Sequence, residues 1–133
     1  MGPVEMVTCT VDDLLRISHG LKRGGVDVQA IYFIKVTTAE DSVYWNIRVV
    51  TTHDPRDFIG KLVELQNAGK IPSIDSDIRI KAVRPDNPEA ERVIEYARQF
   101  RAAPVVISNV AWKGLYIEYA LVAEAPGLEK VAA

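Results

Sequence analysis

Chemistry, if this chain performs any, has few places to happen. The densest polar cluster is His53-Asp54-Pro55-Arg56-Asp57, which sets an imidazole and two carboxylates within five residues. Converging side chains of those types could ligate a metal or share general acid–base work. The competing reading is a helix start, with Asp54 as N-cap, Pro55 at the first helical position and Asp57 in the first turn. That reading explains both carboxylates and leaves His53 exposed, so a small enzyme built on His53, Asp54 and Asp57 is an alternative. No catalytic residue is assigned. Cys9 precedes another helix start, where the dipole would lower its pKa, but a small buried thiol is the simpler expectation. Asp75-Ser76-Asp77 lacks the central glycine and distal glutamate of a calcium loop. Neither nucleotide-binding glycine pattern occurs, and Lys22-Arg23-Gly24-Gly25 precedes a strand instead of opening a helix. No cofactor and no metal site are expected.

The most suggestive constellation lies on a hairpin. Val26 to Thr52 reads as two β-branched and aromatic runs around the loop Ala39–Ser42. Pairing across that loop sets Tyr32 opposite Val49, Ile34 opposite Ile47 and Val36 opposite Trp45, an apolar face expected to be core. The second face then carries Ile31, Phe33, Lys35, Tyr44 and Arg48, with Phe33 opposite Arg48. Two aromatics beside two cations could stack bases and hold phosphates. The apolar members point instead to a contact between subunits. These five residues are the candidate binding surface, with a homodimer as the expected assembly, nucleic acid as a less favoured partner and Glu118 as a partner for Arg48.

Around this hairpin the chain supplies helices and further strands. Thr10 caps a helix with Asp12 and Asp13 in its first turn and Gly20 as its stop. Phe58, Leu62 and Leu65 give a second helical stripe that closes at Gly69. Ile78 to Val83 alternates with Arg79 and Lys81, as an edge strand does. Asn87-Pro88 opens a third helix, with Val93, Ile94, Ala97 and Phe100 along its apolar side and Arg98 and Arg101 in its last turn. Val105–Trp112 and Leu115–Glu124 form a second hairpin across Lys113-Gly114, with Val106, Val110, Trp112, Leu115, Ile117 and Leu121 on its core face. The expected fold is a single α+β domain over residues 1–133, in the order α-β-β-α-β-α-β-β. Its five-stranded, mostly antiparallel sheet has three helices largely on one face and a frayed tail over 126–133.

Bulk properties agree with a small soluble module. The 133 residues are 48% hydrophobic and 26% charged, with net charge −2. That balance supplies no global field toward nucleic acid or anionic lipid. One cysteine cannot form an intrachain disulfide. No apolar run approaches the roughly 18 residues that span a bilayer, and the first residues carry no secretory pattern. No membrane partner and a cytoplasmic location are therefore expected. Abundant Val, Ile, Arg and Glu lean toward a thermophilic source. Taken together, these features favour a non-enzymatic, self-associating binding or interaction module.

Overall fold

The computed structural model describes residues 9–72, 74 and 77–129. Ser73, Asp75, Ser76, the first eight residues and the last four lie outside that set, and with them the calcium-loop reading, the N-terminal readings and the end of the tail. The elements are α1 (Val11–Arg23), β1 (Ala30–Thr37), β2 (Val43–Val50), α2 (Pro55–Asn67), β3 (Ile78–Val83), α3 (Pro88–Ala97), β4 (Val105–Trp112) and β5 (Leu115–Glu124). The strands form one sheet in the order β3-β2-β1-β5-β4. β2 and β3 run parallel, joined through α2, and the other neighbours are antiparallel. This is the single α+β domain and the element order that the sequence implies.

Local chemistry sets the helix ends. Thr10 accepts a hydrogen bond from the Asp13 N–H while the Asp13 carboxylate accepts from the Thr10 N–H, a capping box. Asp54 and Asn87 cap α2 and α3, each followed by proline at the first helical position. α1 runs past Gly20 and ends at Gly24–Gly25. The Gly25 N–H donates to Lys22 O, the Val26 N–H donates to Leu21 O, and Gly25 takes φ +93°. Gly20 serves a different purpose: a Cβ there would lie 2.6 Å from the Lys70 carbonyl oxygen. It is a close-approach glycine between α1 and the segment after α2. α3 stops at Ala97 and tightens into a 3-10 turn over Arg98–Phe100, so Arg101, at φ +67°, lies outside it.

Two cores sandwich the sheet. Leu14, Ile17 and Leu21 of α1 and Phe58, Leu62 and Leu65 of α2 pack on Ile31, Phe33, Ile47, Val49 and Leu121. Ala90, Val93 and Ala97 of α3 pack on the opposite side, against Ala30, Tyr32, Ile34, Val50, Ile107, Ala120 and Val122. The helices therefore divide two to one between the faces, where the sequence reading had them largely on one.

The first hairpin pairs one residue away from the expected register. Tyr32 faces Arg48, Phe33 faces Ile47, Ile34 faces Asn46 and Lys35 faces Trp45. A one-residue slip moves every side chain of one strand to the other face relative to its partner. β1 hides the slip, because most of it is buried and apolar on both faces, while β2 alternates Trp45, Ile47 and Val49 with Tyr44, Asn46 and Arg48. The second hairpin keeps the expected pairs Val106↔Leu121, Val110↔Ile117 and Trp112↔Leu115. They do not form one core face, because Asn109 sits at φ +53° and interrupts the alternation. Val105 and Ile107 are buried beneath α3, while Val106 is exposed. The described part of the tail is tied down as well. The Glu129 N–H donates to Arg101 O and the Ala103 N–H donates to Glu129 O.

Candidate functional site

α1 lies along β5 and β1. Ser18 and Lys22 are one turn apart on the helix and share one stripe. Glu124, the last residue of β5, rises to meet both. The Ser18 hydroxyl donates to Glu124 Oε1 at 2.6 Å, and the Lys22 ammonium donates to Oε2 at 2.7 Å. Each carboxylate oxygen thus has its own donor, one neutral and one charged. Ser18 is only 2% exposed, yet polar.

This triad borders a hollow of about 330 Å³. Leu15, Ala103, Ala123 and Leu128 supply apolar wall, and His19 and Glu129 supply polar rim. A mostly apolar concavity with a few convergent polar groups is the usual form of a small-molecule site. A broader, more open hollow of about 690 Å³ adjoins it across Leu15 and His19, with Arg16, Arg23 and Lys70 along its edge. Sequence reasoning singled out neither Ser18 nor Glu124 and missed this site. The available signal was a hydroxyl at a core-facing helical position, which needs a partner when buried.

The five residues of the expected binding surface are not brought together. Ile31 and Phe33 are buried in the core beneath α1 and α2, where Phe33 stacks on Trp45 at 5.0 Å between ring centroids. Lys35 is on that same side, paired with Glu118 at 2.9 Å and 5.9 Å from the centroid of the Trp45 ring. Tyr44 and Arg48 project from the opposite face. Arg48 donates from Nε to Glu89 Oε1 at 3.0 Å, and the Tyr32 hydroxyl donates to the same oxygen at 2.8 Å. Burial, with the Glu89 carboxylate beside it, drives the Tyr32 phenol far above its ordinary range. The register shift accounts for each difference. Arg48 meets Glu89 and not Glu118, and the expected Phe33–Arg48 contact is replaced by Lys35 beside Trp45.

The His53 cluster resolves into local structure. Asp54 accepts from the N–H groups of Arg56 and Asp57, and no group of three or more potential ligands converges on a metal position among the described residues. The Cys9 thiol is pushed up to about 11, by burial first and by the Asp13 carboxylate second. Both disfavour the thiolate, so it is not a ready nucleophile. Among the described residues no helix is long and apolar enough to cross a membrane. No family model matches this chain, and no curated protein or solved structure is significantly similar to it.

Proposed function

We propose that this protein is a non-enzymatic binding module whose site is the hollow between α1 and the end of β5. The supporting observation is the Ser18–Glu124–Lys22 triad at the border of a largely apolar concavity. The triad fits recognition better than catalysis. Ser18 is closed off from solvent, so an electrophilic carbon has no approach to its oxygen. Among the lining groups Glu124 and Glu129 outnumber Lys22, which favours a ligand with an amine or hydroxyl donor on a compact apolar body.

The test is an amide-shift titration of the full chain with phenethylamine, whose ring and ammonium match that description. Shifts centred on Ser18, Ala123 and Leu128 are expected in the wild type. They should disappear in Leu128→Trp, which fills the hollow, and weaken in Glu124→Gln. Shifts scattered over the surface, or unchanged in both variants, would sink the reading.

Self-association is a second reading, with its surface relocated. Ile59 and Val63, one turn apart on the outer side of α2, are 59% and 47% exposed. They are the pair a second copy would cover.

A further inference from the structure

α3 packs chiefly over β4, β5 and β1 and reaches the far ends of β2 and β3 only near Val50 and Val83, which leaves much of their shared half of this face open. On the half made by β2 and β3, the register sets Asn46 beside Arg79 and Arg48 beside Lys81. Arg79 and Lys81 are exposed, and Tyr44, at the near end of β2, is 52% exposed. Arg84, just past β3, joins Arg48 and Lys81 around a shallow hollow of about 400 Å³. Glu89 and Asp86 border that hollow too, and Glu89 is already engaged by Arg48 and Tyr32. Arg79, Lys81 and Arg84 have no ion-pair partner among the described residues. On a chain of net charge −2, three unpaired cations thus stand together on one open patch of sheet.

We propose that this half-face binds single-stranded nucleic acid. Charge complementarity selects a polyanion, and the geometry selects its kind. Neighbouring cations stand about 5 Å apart across strands and about 7 Å along one, a ladder suited to an extended phosphate backbone. Tyr44 offers a ring to an unstacked base, which a duplex keeps inside its stack. Asn46 carries both a donor and an acceptor for a base edge. A second copy of this chain is a poor occupant, since it would bring like charge to like charge. The site lies on the face of the sheet opposite α1 and stands independently of the hollow described above.

The experiment is fluorescence anisotropy of the full chain with labelled oligo(dT) of roughly 12 nucleotides. Binding is expected to weaken with salt at a log–log slope of about −2, from three phosphate contacts on a single strand. The Arg79→Gln/Lys81→Gln double variant should lose most binding, and Tyr44→Ala should bind about tenfold more weakly. The Arg56→Gln/Lys61→Gln double variant, on α2 across the sheet, likewise removes two positive charges and should bind as wild type does. A mutation-free check is amide-shift mapping with the same oligonucleotide, which should move β2 and β3. No anisotropy change, an unaffected double variant, or shifts confined to α1 and α2 would overturn the proposal. Equal binding by Tyr44→Ala, together with equal competition by heparin, would overturn it in favour of a generic polyanion or acidic-protein surface.

Discussion

Individual polar residues are held here by specific partners, and Asp27 shows how that couples to pH. Its carboxylate accepts from the Thr51 hydroxyl at 2.8 Å and the Thr52 N–H at 3.0 Å, fastening the start of β1 to the end of β2. Burial opposes its ionisation, but the donors from Thr52 and Thr51 prevail and hold the carboxyl below its usual range. A depressed folded pKa contributes stability that is complete above the unfolded value, near 4, and is lost as pH falls through the folded one. Asp27 is exposed, so solvent screening keeps the effect small, and Asp27→Asn should lower unfolding free energy by about 0.5 kcal/mol at pH 7. The gap between variant and wild type should close as urea melts are taken below about pH 4. A gap that persists at pH 2 would mean a role independent of the charge. At this scale the sequence was partly legible. Caps at Thr10, Asp54 and Asn87 follow from local rules, whereas Ser18–Glu124 and Tyr32–Glu89 join residues far apart in the chain and needed the topology.

Elements were easier to read than their arrangement. Each helix and strand announces itself by period and punctuation, but the two faces of β1 could not be separated by hydropathy when both are covered. Burial alone would not have exposed the slip, since Tyr32, Ile34 and Ile47 are buried in either register. The sheet order was equally closed to local rules, because β1 takes β5 as its second neighbour across the intervening α2, β3, α3 and β4. Ile47→Ala, in the core between sheet and α2, should cost about 2–5 kcal/mol in a urea melt. Gly20→Ala separates propensity from packing. Alanine favours a helix interior by roughly 1 kcal/mol, yet its Cβ would press on the Lys70 carbonyl. Net destabilisation by about 1–3 kcal/mol is expected. A variant more stable than wild type would show that the segment after α2 yields freely.

The molecule as a whole presents scattered apolar residues and a basic patch on the open half-face of β2 and β3. Ile59 and Val63 stand on α2, Val106 and Tyr116 on β4 and β5, and Phe100 after α3. Sedimentation of the wild type at micromolar concentration decides whether the α2 pair is an interface. A 29–30 kDa species on a 14.8 kDa chain (about twofold, as a two-fold assembly requires), abolished by Ile59→Lys/Val63→Lys, is the outcome that supports self-association. A monomer in both proteins removes that reading and leaves the two proposed ligand surfaces to their own tests.

The central position of β1 also fixes an order of events during synthesis. Lys35 must wait for Tyr119, and Ile31 for Glu124. About 90 residues separate such partners, so at about 5–20 residues per second roughly 5–20 s pass before β5 emerges. Through that interval β1 has one neighbour, β2, and its other edge is an unpaired strand flanked by apolar side chains on both sides. The nascent chain therefore carries its stickiest edge at its centre until the last strand arrives. Chains truncated before β5 should be far more prone to aggregate than chains truncated after Glu129.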